Sequence, residues 1–435
     1  LQMKRTFPGT THRFTTFWTI LKKPLLCSMV FSGILSLQLT VSAEDWASWL
    51  GPRRDCSSQS NFNGWKGPLS QAWKIPVGEG HSSPIVENGK VYLHTKVKDS
   101  DSEAVQAFDA TSGKLIWNTT YPRGAFSSVF GLGPRGTPAT TANHIFTFGV
   151  TGILSCLDKN DGKILWQVDT IKEFKAANLF FGTSCSPLIV GDKVVVQVGG
   201  KASAMVAFDQ KDGKVAWQTK TMDDKSSYSS PILWGTGPET ERKILALTQQ
   251  GLASISAKDG TMAWRFPLVD KLNESSTTPI RMGNTVVASS VTFGSVGLQV
   301  DDEGNTQKQL WKNGNLTCYF ATPVAISKDH VLMVTGGILP PPQANLHCVE
   351  ASTGKILWTK KKVGKYHASL IRGANGKILM LEDGGDLVLM EPNPGAYTEI
   401  ARSKVCGHTW AHPAVANDKV FLRDDNSLIC VNLAK

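Results

Sequence analysis

The stretch "SAKDGTMAWRF" (Ser256 to Phe266) decides the fold, because its core, a Gly followed four residues later by a Trp, recurs along the chain. "TSGKLIW" (Gly113, Trp117), "NDGKILW" (Gly162, Trp166), "KDGKVAW" (Gly213, Trp217) and "STGKILW" (Gly354, Trp358) repeat it, and "EGNTQKQLW" is a degenerate copy ending at Trp311. "LSQAWKIPV" sets Trp73 in the same context without the upstream half. From Trp117 to Trp358 successive Trp residues stand about 47 to 51 residues apart, and a fixed period of this size signals a repeat architecture.

Within each period the pattern is strand-like. A small-small-Pro phrase opens the unit. Short β-branched runs follow, broken by Gly, Asp and Asn turns, as in "SSPIVENGKVYLHT" and "AVQAFDATSGKLIW". Such runs predict antiparallel hairpins, and no helical periodicity of useful length follows residue 44. Four strands per unit predict an all-β fold, a β-propeller. The openings at Pro84, Pro138, Pro187, Pro231, Pro279, Pro323 and Pro413, with Ser369 in place of Pro in "YHASLI", make eight units. The last unit ends one strand short, and "LSQAWKIPV" near the other end of the repeat region is one strand over. Pairing the two closes an eight-bladed ring and removes an open edge.

The recurring phrase then has a structural role. Asp109, Asp158, Asp209 and Glu350 end third strands, the Gly makes the turn, and Trp73, Trp117, Trp166, Trp217, Trp264, Trp311 and Trp358 pack outer strands against neighbouring blades. The same register makes Cys156, Cys185, Cys348 and Cys430 small buried residues. Cys56, Cys318 and Cys406 lie outside it, which leaves a disulfide among these three open.

The organisation expected is a leader at 1–43, an N-terminal extension at 44–68 and the propeller at 69–435. Lys22 and Lys23, the apolar run from Pro24 and the small residues of "VSA" (Val41 to Ala43) read as a secretory signal, with no membrane span after its cleavage. The leader holds Lys4, Arg5, Arg13, Lys22 and Lys23 and no acid, so it carries half of the chain's net charge of +10. What remains has no basic stripe, which argues against nucleic-acid binding. The expected location is periplasmic or secreted, as a monomer.

These residues resemble the quinoprotein-type propeller family, with its pyrroloquinoline-quinone-type repeat, over Asp45 to Lys435. "DWASWLGPRRDC" (Asp45 to Cys56) and "GLGPRGTPA" are similar to the secreted subgroup related to BamB. That subgroup reads W-x-x-W/F-R-G-P-x-R-D-G, and here Leu50 stands for Arg and Cys56 for Gly. The resemblance implies two functions. One is a protein- or ligand-binding, scaffolding module of the cell envelope, with an envelope protein or a small polar ligand as partner and no cofactor. The other is a dehydrogenase of alcohols or sugars using pyrroloquinoline quinone with calcium. The adjacent-cysteine pair found in many such enzymes, a C-x-x-C-H haem site and long funnel insertions are missing from the sequence, which favours the binding module.

Candidate binding residues stand three before each opening Pro, in loops expected at the funnel mouth. They are His81, Arg135, Ser184, Tyr228, Ser276, Phe320, Tyr366 and Trp410, with His367 and His408 close by. Their aromatic, His and Arg side chains suit a small polar ligand or a peptide; alternatively they plug the funnel. No metal site is expected. His408 and His412 straddle a loop and a strand start. The acids Glu382, Asp383 and Asp386, and Asp424 and Asp425, fall where hairpin turns are expected.

Overall fold

A computed structural model describes residues 44–221, 225–337 and 341–433. The expected leader at 1–43 lies outside them. Thirty-two strands form eight four-stranded antiparallel sheets among the described residues. Blade 1 runs through Ile85–Glu87, Lys90–Lys96, Ser102–Asp109 and Leu115–Pro122 in sheet order. Blades 2 to 7 repeat this meander. Seven innermost strands begin directly after the opening Pro residues, as Leu188–Val190 does after Pro187. Pro ends the preceding loop because it has no N–H for a ladder and biases the residue before it toward extended backbone.

Blade 8 closes the ring. Ala414–Ala416, Lys419–Arg423 and Ser427–Asn432 supply three strands, and Gln71–Pro76 adds the fourth by pairing with Ser427–Asn432. The Ser256 to Phe266 phrase is the last turn and outer strand (Met262–Phe266) of blade 4. Among the described residues the one α-helix, Thr170–Phe174, capped by Asp169, interrupts the loop from blade 2 to blade 3.

The Trp residues stitch consecutive blades. Each indole Nε1 donates to a backbone carbonyl of the next blade's turn region: Trp73 to Ala110, Trp117 to Lys159, Trp166 to Gln210, Trp217 to Ala257, Trp264 to Gly304, Trp311 to Ala351 and Trp358 to Asn393, at 2.7 to 3.3 Å. A buried indole N–H requires such a partner, and the ring beside it excludes water from the joint. Blade 7 has Ala401 where the others place Trp. There the 44–68 segment contributes Phe62 and Trp65 to the buried cluster that contains Ala401 and Phe421. Asn375 clasps Phe62 by both its N–H and its carbonyl.

The seven cysteines of the described residues are free and buried, which overturns a disulfide among Cys56, Cys318 and Cys406. These three sit in separate core clusters, so no two can meet. Burial raises the pKa of all three thiols.

Candidate binding site

Because strands alternate in direction, the G-x-x-x-W turns and the inner hairpins fall on one face of the ring. The Pro-led loops fall on the other. There the eight residues three before each opening position, from His81 through to Trp410, all line one cavity of about 250 Å³. Seven more wall residues were missed by counting back from Pro: Trp49, Phe130, Phe181, Ser186, Ser230, Glu274 and Tyr319.

Trp410 is the hub of the cavity. Its ring lies 5.2 Å from His81, 5.4 Å from Phe320 in a stacked arrangement, and 5.9 Å from Tyr366. Phe320 stacks in turn on Tyr319 at 3.9 Å. Phe130 also meets the Trp410 ring, tilted at 6.1 Å, and carries the aromatic contacts onward edge-on to Phe181, which meets Tyr228 in a tilted arrangement. The polar groups are few. Arg135 donates to the carbonyls of Gly133, Phe130 and Gly131, and burial lowers its pKa to about 10. The Tyr319 hydroxyl donates to Glu274, and burial with that bond raises its pKa. His81 is pushed down to about 3, first by burial and then by Arg135, so it is a neutral imidazole held against the Phe130 carbonyl at 2.9 Å.

His367 and His408 do not join the wall. His367 is buried behind it, its Nε2 paired with Ser369 Oγ at 2.8 Å. Neighbours in an extended chain point to opposite sides, so Tyr366 facing the cavity turns His367 away. His408 rests against the edge of Trp410 on the outside, with its Nδ1 3.4 Å from Asp425. His412 is buried, within bonding distance of the Pro413 and Leu370 carbonyls.

Asp383 and Asp424 do more than form turns. The Asp383 carboxylate accepts the backbone N–H groups of Lys365, Tyr366 and His367 at 2.6 to 3.2 Å. Asp424 accepts the Gly407 N–H at 3.1 Å. Two acids thus fasten the loops that present Tyr366 and Trp410.

The floor comes from the 44–68 segment, which crosses the axis from the turn face. Trp46 bridges to Val86 in blade 1, Ala47 accepts from Thr140 in blade 2, and Arg54 donates to the Ser186 and Pro187 carbonyls at blade 3. Ser58 donates to Arg372 in blade 7, and Trp49 donates to Thr278 Oγ1 at 2.9 Å while lining the cavity from below. The funnel is therefore stoppered by this segment, and the loop-end residues leave a concavity above it.

Pyrroloquinoline quinone and its calcium do not fit these residues. Calcium takes about 6 to 8 oxygen ligands, several from carboxylates. The cavity wall offers the single carboxylate of Glu274, already engaged by Tyr319. Among the described residues no cluster of three His, Cys, Asp or Glu side chains could hold a metal.

The fold and this site define an eight-bladed propeller of the pyrroloquinoline-quinone-like repeat class with a stoppered, aromatic-walled funnel. The family model of the outer membrane protein assembly factor BamB matches residues 70–131 and 101–360, and the chain belongs to that family. It is 21% identical over 317 residues to the BamB of Yersinia pestis, covering 71% of this chain and 75% of that one. It is 28% identical over 257 residues to a quinohemoprotein alcohol dehydrogenase of Pseudomonas putida, covering 55% of this chain and 34% of the enzyme. The crystal structure of BamB from Moraxella catarrhalis superposes with a TM-score of 0.59 at 16% identity, over 84% of this chain and 98% of that one. No helix of the described residues is long and apolar enough to cross a membrane.

Proposed function

We propose that this chain is a protein-binding module of the bacterial envelope that receives an apolar or aromatic stretch of a partner polypeptide in the loop-end cavity. The observation that carries this reading is the set of aromatic rings converging on one concavity from successive blades. Two apolar side chains extend from its loops into solvent, Val129 at 86% exposure and Phe180 at 75%. Phe180 sits edge-on to Phe181 of the wall at 4.9 Å, so the exposed surface continues into the cavity. Exposed apolar surface of this kind marks contact sites, and aromatic anchors dominate binding energy. The names of the BamB relatives, assembly factors for outer membrane proteins, support an envelope role.

The test is affinity capture from an envelope extract with the wild-type chain, Trp410→Ala and Phe180→Ser. A partner retained by the wild type and lost from both variants, at unchanged melting temperature, supports the reading. Equal retention by all three overturns it. The dehydrogenase relative motivates the second reading, a quinone enzyme. Adding pyrroloquinoline quinone with calcium should then shift the absorbance and raise the melting temperature. Neither change is expected from the donor set of this cavity.

A further inference from the structure

At the other end of the ring, on the turn face, lies a second concavity of about 220 Å³, remote from the aromatic cavity. It opens between the inner hairpins of blades 5, 6 and 7 and the 44–68 segment. Three cations line it, Arg281, Lys328 and Arg372, against one carboxylate, Asp55.

The carboxylate is turned toward its own segment. Asp55 Oδ1 accepts from the Ser57 N–H at 2.9 Å and the Ser57 hydroxyl at 2.5 Å, and Oδ2 lies 4.0 Å from Arg53 Nε. The cations have no such counter-charge. Arg281 is steadied by the Gly283 carbonyl at 2.9 Å and lies 4.5 Å over the Trp234 ring, contacts that orient a guanidinium without cancelling its charge. Arg372 and Lys328 make no ion pair among the described residues. Arg372 is nonetheless fixed in place by its backbone: its N–H donates to Cys56 and its carbonyl accepts from Ser58, both at 2.8 Å. The segment that stoppers the funnel therefore also anchors the strand end that carries this guanidinium.

We propose that this concavity binds a phosphate group. Three cations, one from each of three blades, line one concavity without an ion pair to balance them among the described residues, which favours an anion. Guanidinium forks match the paired oxygens of phosphate, and a lysine adds a point charge. The Met282 side of the wall leaves an apolar face for an organic substituent, so the phosphate group can be free or part of a lipid head.

The experiment uses the purified chain at low ionic strength. Inorganic phosphate is titrated by calorimetry, and flotation is measured with vesicles of phosphatidylglycerol or phosphatidylcholine. Saturable phosphate binding is expected. It should weaken at least tenfold in Arg372→Gln and in Lys328→Gln, fall as salt screens the site, and stay unchanged in Lys114→Gln, an exposed cation in the last turn of blade 1. The Arg372→Gln exchange keeps the backbone clamp, and Lys328 is exposed, so both variants should fold; their melting temperatures are checked. Co-flotation with phosphatidylglycerol alone, lost in the same variants, points to a lipid source; phosphate binding without flotation points to a soluble phosphate. Absence of both phosphate binding and flotation, or undiminished binding in the two folded variants, overturns the proposal.

Discussion

The indole of Trp217 fills the space where a side chain at Gly260 would begin. A Cβ at Gly260 would stand 2.6 Å from Trp217 Cε3, and the Trp217 Nε1–H donates to Ala257, three residues before that Gly, at 3.0 Å. Gly260 also has a φ of +75°. The glycine is thus required twice, by its own backbone and by the tryptophan of the preceding blade. Gly113, Gly162, Gly213 and Gly354 stand in the same relation to Trp73, Trp117, Trp166 and Trp311. One phrase therefore carries both halves of a joint, with its Gly receiving one neighbour's Trp and its own Trp passed on to the next blade.

Gly260→Ala is expected to destabilise by about 2 to 4 kcal/mol, combining the left-handed backbone penalty with overpacking. In a Trp217→Leu background only the backbone part, about 1 to 2 kcal/mol, should remain. Denaturant unfolding of the two single variants and the double variant checks this. Additive effects would show that ring and glycine are not coupled.

Asp383 is expected to hold the loop of Tyr366. Replacing it with Ala leaves three backbone N–H groups without their acceptor, and buried donors left unpaired cost about 1 to 3 kcal/mol. Hydrogen exchange should accelerate selectively at Lys365, Tyr366 and His367 in Asp383→Ala, with the exchange of blades 2 to 4 unchanged. Uniform acceleration throughout would mean that the acid serves global stability and not this loop.

The ring was legible because its signals are periodic. The opening Pro residues, the phrase with its Trp, and the spare strand around Trp73 each found their places. The cavity was legible only where the count from Pro is constant. Tyr319 stands four before its Pro, Glu274 five and Phe130 eight, because the loops differ in length, so no single offset finds them. Trp49 was hidden for another reason: it reaches the wall from a segment that has no counterpart in the repeat. His367 was misplaced by adjacency, since the chain is extended there and consecutive side chains diverge. Asp383 and Asp424 were read as turn residues because a loop docking onto an acid leaves no spacing signature.

The thiols offer a direct check on the packing of the ring. Cys56, Cys318 and Cys406 are buried in three separate clusters, and burial raises their pKa, so each is both shielded and protonated at neutral pH. Alkylation of the native protein is expected to leave them unlabelled. After unfolding without reductant, all three should label, as mapped by peptide mass. A cross-linked peptide pair among them would contradict the separation of the clusters.

Stability is expected to fall as the pH drops from about 6.5 toward 4. His367 and His412 are each 5% exposed, and burial lowers the pKa of each to about 4. The unfolded chain, with imidazoles near their ordinary 6.5, binds more protons than the native state throughout that window. Stability therefore rises with pH across it: it is fully present above about 6.5 and is lost as the pH falls to the native values. Lowering a pKa tenfold in proton affinity corresponds to about 1.4 kcal/mol, so each histidine accounts for a loss on the order of 3 kcal/mol. Carboxylates with lowered values, such as Asp424, add their share only below about pH 4. Denaturant unfolding at pH 7, 6 and 5 should show the decline, and His412→Gln should lessen it by removing one of the contributing imidazoles, which also include His81 and His347. Stability constant from pH 7 to pH 5 would mean that these imidazoles are not held neutral behind the cavity wall.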